Sequence, residues 1–409
     1  MADENRTSGG YRKYRVLGVL ATAELLAMTL WFSVSAVGPE LATMWGLSAA
    51  ETAWLTNAVQ LGFVAGALLS ALFTISDVVK PRYLFSVSAV VGAAATVVIA
   101  TSVESFLPAV LLRFLTGMAL AGVYPPGMKI MAGWFRKGRG FAIGVLVGAL
   151  TVGSAMPHLL RGLGGVGRPT PVLLGAAALS VVGGVLVLLV EPGPYQAPAA
   201  PFDPSAIRRI AGDRGTVLAN LGYFGHMWEL YAVWAWIPVY LSASFTANGG
   251  ETEAFAAFVT FGTIAIGGLG AVIAGVTSDR LGRTTVTSAS MIISGSACVA
   301  AGFVFGASTL VVVPFVLLWG FAIVADSAQF STAVSELAED SYVGSALTFQ
   351  TAIGYLLTLG SIQLTPIVAD WVGWQWAFAP LAVGPLVGTV AMLTLRRLPE
   401  AEALAGGRG

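Results

Sequence analysis

The chain of 409 residues contains one cysteine, Cys298, which excludes an internal disulfide framework, and only two histidines, His158 and His226. Charge is equally scarce. Asp, Glu, Lys and Arg make up 10% of the residues and cancel to zero, so nothing points to nucleic acid as a partner. No GxxxxGK[ST] phosphate loop occurs, which argues against a built-in ATPase. No nucleophile, metal or cofactor constellation appears either, so neither an enzyme nor a bound cofactor is expected. What is abundant is apolar: 56% of the residues are hydrophobic, more than one soluble core can bury. The chain reads as an all-α, polytopic membrane protein.

Twelve apolar stretches of spanning length lie at roughly 15–37, 52–75, 83–101, 106–127, 140–163, 170–190, 215–241, 254–277, 285–306, 309–335, 343–369 and 373–395. The longest interruption, residues 191–214, carries Pro192, Pro194, Pro198, Pro201 and Pro204 and resists regular structure. It separates a six-helix bundle at 15–190 from a second at 215–396, with polar tails at 1–14 and 397–409. Two pseudo-symmetric halves place a small-molecule site near the bilayer midplane between them. The start, Met1 to Gly10, lacks a cleavage site after a short apolar core, and Ala2 excludes myristoylation, so the first span is expected to be kept as an anchor.

Basic residues set the orientation. With the N-terminus inside, eighteen of the 21 Lys and Arg residues are cytoplasmic: Arg6, Arg12, Lys13, Arg15, Lys80, Arg82, Lys129, Arg136, Lys137, Arg139, Arg208, Arg209, Arg214, Arg280, Arg283, Arg396, Arg397 and Arg408. Only Arg161 and Arg168 fall outside, and Arg113 is intramembrane. Both termini are expected in the cytoplasm of a cell (inner or plasma) membrane protein that works as a monomer. The acidic loop Glu336, Glu339, Asp340 breaks this pattern.

Six ionisable side chains interrupt the apolar runs: Glu24, Arg113, His158, His226, Glu229 and Asp326. A charge near the midplane costs about 2.5–3.5 kcal/mol even on a mild scale, so it is kept where it is buried in protein or lines water. Glu24 lies about 13 Å of helix past Arg15, too deep for its short side chain to reach the interface. A carboxyl withdrawn from water can exchange its proton near neutrality, as a proton-coupled carrier requires. His226 and Glu229, three apart, share a helix face and can bond each other or bind solute. With only Met227 and Met156 as soft neighbours and no cysteine cluster, they are not expected to hold a metal. Asp326, near Gln329, belongs either to the cavity or to a cytoplasmic gate, and His158 after Pro157 reads as an interfacial histidine. In the seventh span Trp236 and Tyr240 suit an interfacial belt, whereas Tyr223 and Trp234, with Trp31 of the first span, can stack on an organic or cationic solute. Core packing is the other reading of each. Gly62 and Gly66, and Gly144, Gly148 and Gly153, have the spacing that lets helices approach closely.

The stretch Gly275-Val-Thr-Ser-Asp279-Arg280-Leu-Gly282-Arg283 resembles the GxxxDRxGR motif between the second and third helices of a half in the major facilitator superfamily. Its N-terminal counterpart keeps Asp77, Lys80 and Arg82 but has lost the DRxGR core. Arg113-Phe-Leu-Thr-Gly117 is similar to the superfamily's RxxxG motif in the fourth span. The resemblance covers nearly the whole chain and implies the major facilitator fold, in which spans one, four, seven and ten line a central cavity. Five of the six ionisable residues map there. It further implies a cytoplasmic latch, with Asp279 against a helix N-terminus and Arg280 and Arg283 on acids of the loop at 336–340. The expectation is a proton-coupled carrier of a cationic or neutral solute, with Glu24, Glu229, Asp326 and Arg113 in proton coupling. Nitrate carriers of the superfamily use arginines in spans two and eight, which are absent here. Gly144, Gly148 and Gly153 are similar to the fifth-helix motif of drug/proton antiporters, apart from its internal GP, which points to efflux. Uptake symport of a metabolite, anion or metal ion, and a non-transporting sensor or scaffold, are the alternatives.

Overall fold

The computed structural model describes residues 2–73, 75–135, 138–195, 206–250, 252–339 and 342–409. The side chain of Asp77, all of Asp340 and the centre of the linker, with Pro198, Pro201 and Pro204, lie outside these described residues. Within them the chain is helical, without a strand. Helix is what a bilayer imposes, because a spanning segment must satisfy its own backbone N–H and C=O groups.

Span one is Ala2–Met28 continued by Ser33–Ala36, followed by a short helix, Gly38–Trp45. Spans two and three are Ala49–Leu72 and Pro81–Ser102. Span four runs as Phe106–Leu120 and Tyr124–Ala132. Span five is Arg139–Leu160, extended by the wider turn Arg161–Gly165, and span six is Pro169–Leu186. The second half repeats the plan with Arg214–Ala247, then Glu253–Ala265 plus Gly267–Leu281, Arg283–Val304, Thr309–Ala325 plus Ser327–Leu337, and Val343–Val372. Span twelve is Ala379–Ala382 plus Val383–Leu395, and the tail forms a tight helix, Pro399–Gly406.

Ten of these helices are long and apolar enough to cross a membrane, and span twelve joins them when its bent partner is counted. Span one differs because Arg12, Lys13, Arg15 and Glu24 share the 27-residue helix that stops at Met28. Local sequence explains the ends. Ser48 and Glu51 form a reciprocal capping box at the start of span two. Asp213 and Thr252 cap spans seven and eight through the N–H groups of Thr216 and Phe255. Spans four and ten are interrupted at equivalent places, 121–123 and Asp326, and in span four Pro125 and Pro126 follow the break.

Glycines set the packing. A Cβ on Gly62 would lie 2.0 Å from the Phe114 carbonyl, and one on Gly117 would lie 2.1 Å from that of Val59, so spans two and four touch backbone to backbone. Gly320 repeats this contact in the other half, against Thr263 of span eight. The halves meet along two seams. In one, span two packs on span eleven, where Asn57 donates to the Leu359 carbonyl and Gln363 to that of Ala50. In the other, Gly140, Gly144 and Gly148 of span five lie against Gly275, Ala271 and Gly268 of span eight.

Candidate functional site

Two cavities lie between the halves. The larger, about 950 Å³, is at the face away from the chain termini and is lined by spans one, two, five, seven and eight, including Leu55, Ala235, Trp236, Glu40, Arg161 and Glu253. The smaller, about 430 Å³, reaches towards the face that carries the termini. Tyr124, Met128, Tyr223, Tyr231, Trp234 and Tyr355 wall it, with Asp279, Arg283 and Glu336 at its end. An aromatic partition stands where the two approach. Trp31 packs at 5.0 Å on Phe63, 5.8 Å on Tyr231 and 5.6 Å on Tyr355, and Phe32 meets Trp234 at 5.8 Å. The hydroxyls of Tyr231 and Tyr355 are hydrogen-bonded at 2.8 Å, tying span seven to span eleven. Tyr223 and Trp234 thus face the smaller cavity, whereas Trp31 is buried in the partition.

None of the five ionisable residues expected at a shared cavity lines either one. Helix geometry gives the reason. Tyr223, Met227, Leu230, Tyr231 and Trp234 define the cavity face of span seven. At 3.6 residues per turn His226 lies about 85° and Glu229 about 145° round from its mean direction. Nor do these two bond each other. His226 Nδ1 lies 2.9 Å from Asp326 Oδ1, while among the described residues its Nε2 has no partner. Glu229 accepts from Ser294 Oγ at 2.8 Å, Trp319 Nε1 at 3.0 Å and Cys298 Sγ at 3.2 Å, joining spans seven, nine and ten.

Arg113, expected in proton relay, has no free nitrogen. Its Nε donates to the Leu55 carbonyl at 3.1 Å, Nη1 to Leu30 O at 3.0 Å and to Ser33 Oγ, and Nη2 to the Trp31 carbonyl. The break in span one exposes the Leu30 and Trp31 carbonyls, and the guanidinium fork reaches both of them as well as Leu55 of span two. Glu24 is the opposite case. It is fully buried, neither carboxylate oxygen has a partner among the described residues, and Oε2 lies 3.0 Å from where a Gly127 Cβ would stand. Gly127 lies in the chain between Tyr124 and Met128, both of which line the smaller cavity. His158 is wholly buried within the protein, in the last turn of span five, and among the described residues neither of its nitrogens is bonded.

At the terminal face Arg283 donates to both oxygens of Glu336 at 2.6 Å, to Gln329 Oε1 at 2.9 Å and to Asp279 Oδ1 at 3.4 Å. Ser278 also donates to Gln329 Oε1, at 2.5 Å, so Gln329 belongs to this network and not to a cavity wall. Asp279 Oδ2 lies 3.2 Å from a Cβ placed on Gly140, against the first turn of span five in the other half. Arg280 is exposed, with no ion pair among the described residues. Gly282, at φ +90°, adopts a conformation that favours glycine, and a Cβ there would lie 2.3 Å from the Arg408 carbonyl. The tail therefore packs under the motif, with the Ala405 N–H on Glu336 Oε2 at 3.1 Å.

The opposite face holds a charge cluster that sequence reading missed. Arg161, 5% exposed, donates through Nε to Glu40 Oε1 at 2.9 Å and through Nη2 to Glu253 Oε2 at 3.2 Å. The available signal was that Arg161 is one of only two basic residues on that side. Among the described residues no group of three His, Cys, Asp or Glu side chains is placed to hold a metal.

The Major Facilitator Superfamily model matches residues 20–268 and again 219–409. The chain belongs to that superfamily. Solved structures agree on the fold. The transporter is similar to a bacterial homologue of the human lysosomal transporter Spinster, inward-facing and occupied, with a TM-score of 0.72 at 15% identity, covering 94% of this chain and 97% of that one. It is also similar to the nucleoside transporter NupG, with a TM-score of 0.68 at 16% identity, covering 93% and 99%. A comparison with curated protein sequences finds no match. The fold is that of a secondary transporter working by alternating access, built as an all-α membrane protein.

Proposed function

We propose that this transporter couples protons to the movement of a small organic solute, cationic or neutral, and that its direction is efflux by antiport. The observation that carries the proton coupling is Glu24, a fully buried carboxyl whose two oxygens are unpartnered among the described residues, near the smaller cavity. An unpaired carboxylate in that place is costly. Holding a proton removes the cost, and water entering past Gly127 lets the proton leave. Asp326 with His226 is the matching acceptor in the second half. Glu229 and Arg113 hold helices together around these two.

Both cavities support the solute class. Each is lined by one arginine and two carboxylates: Arg161 with Glu40 and Glu253 in the larger, Arg283 with Asp279 and Glu336 in the smaller. Each therefore carries one excess negative charge, which favours an amine or a neutral molecule over a small anion. The aromatic walls suit a solute with a flat apolar body. The Lys and Arg distribution supports a cytoplasmic terminal face, and a single chain contains both halves that alternating access needs. The network of Asp279, Gln329, Arg283 and Glu336 then acts as the cytoplasmic gate.

The test is a thermal-shift screen of purified protein against amines, carboxylates, metal ions and hydrophobic cations, followed by flux in proteoliposomes under an imposed pH gradient. Amines or hydrophobic cations should stabilise the protein, and the gradient should drive their flux. Glu24→Gln should keep the stabilisation and lose the gradient's effect. Stabilisation by small anions alone, or flux indifferent to the gradient in the unmodified protein, would overturn the reading.

A further inference from the structure

We infer that Arg161 is a reversible ionic clasp that holds the two halves together at the larger cavity, with Glu253 as the partner that lets go and Glu40 as the partner that stays. Arg161 and Glu40 belong to the first half, at the ends of span five and of the segment after span one, whereas Glu253 opens span eight in the second half. The 3.2 Å bond to Glu253 therefore crosses the seam between the halves, and the 2.9 Å bond to Glu40 does not.

The unequal surroundings of the two acids make the clasp reversible. Glu253 is 47% exposed at its side chain, so it returns to water with little penalty when the halves part. Glu40 is 11% exposed and Arg161 6%, and the Gly167 N–H adds a second donor to Glu40 Oε1 at 3.3 Å. Arg161 Nε keeps its bond to Glu40 Oε1 after the outer bond breaks. A buried arginine with only one partner, on the far half, would be stranded when that half moved away, and stranding a buried charge is what makes ion pairs costly to break. Glu40 removes that obstacle. The neutral bonds across the other seam, from Asn57 and Gln363 to backbone carbonyls, can exchange for water at small cost.

Nothing in this depends on the solute or on protons, so its failure and that of the proposed function are separable. The experiment uses the full-length protein in lipid nanodiscs, where both faces are reachable and membrane orientation does not matter. Ala235, partly exposed in the larger cavity, is replaced by cysteine, and its rate of modification by a charged thiosulfonate is measured against the unsubstituted protein, whose Cys298 is buried. Arg161→Gln and Glu253→Gln should each speed modification about fivefold, the scale of a half-exposed ion pair. Glu40→Gln should slow it, because opening would then strand Arg161. A merely structural cluster would move all three variants in one direction, and that result overturns the clasp, as do unchanged rates in Glu253→Gln. Should Arg161→Gln fail to fold, the opposed signs of Glu253→Gln and Glu40→Gln still decide.

Discussion

Arg113 shows how a charge inside a membrane can be structural. Its three nitrogens reach the carbonyls of Leu30, Trp31 and Leu55 and the Ser33 hydroxyl, so one side chain holds the break of span one against span two. An ammonium cannot copy that fork. Arg113→Lys is expected to leave at least one carbonyl unpaired, at about 1–3 kcal/mol, seen as a lower unfolding temperature in detergent. Solute-induced stabilisation of the folded fraction should persist, and its loss would return Arg113 to the binding machinery. The sequence made Arg113, Glu24, His226, Glu229 and Asp326 visible because each interrupts an apolar run. It did not reveal their partners. Spacing puts His226 and Glu229 on neighbouring parts of one face, but partner choice depends on spans nine and ten, which bring Asp326 to the one and Ser294, Cys298 and Trp319 to the other. Arg161 escaped notice for the complementary reason: it lies at the end of a span, where a charge needs no explanation.

Spans five and eight carry the element-scale argument. Run length and composition foretold helices, and the spacing of Gly144 and Gly148 foretold close packing, but periodicity names a face and never the helix that covers it. The partner is span eight of the other half, whose Ala271 and Gly268 carbonyls lie 2.9 and 3.0 Å from where the two Cβ atoms would stand. The interruptions were unequally legible. Pro125 and Pro126 mark the one in span four, while Asp326 interrupts span ten with no proline or glycine beside it. Because the glycine seam is where the halves must slide, Gly148→Val should wedge it apart. Protein yield should fall little, since each half keeps its own core, and flux in proteoliposomes should drop by an order of magnitude or more. A valine variant transporting at the normal rate would show that spans five and eight are not in contact during the cycle.

At the scale of the whole molecule, each cavity ends in the same charge set, one arginine with two carboxylates, placed at opposite faces. If the halves rock as rigid bodies there is a single equilibrium, and the two sets bias it in opposite directions. Arg283→Gln releases Glu336 and loosens Asp279, which lies against the first turn of span five at the terminal face. It should favour opening there, read as faster modification of a cysteine placed at Thr351 in the smaller cavity and slower modification of one at Ala235. Arg161→Gln should do the reverse. The two arginines line different cavities and share no partner, so their effects are expected to add as free energies. The double variant should then fall back towards the wild-type rates at both positions, since equal and opposite shifts leave a two-state ratio unchanged. Faster modification at both positions in the double variant would mean that the two ends open independently, and the aromatic partition around Trp31, rather than the rocking of the halves, would then have to keep the cavities apart.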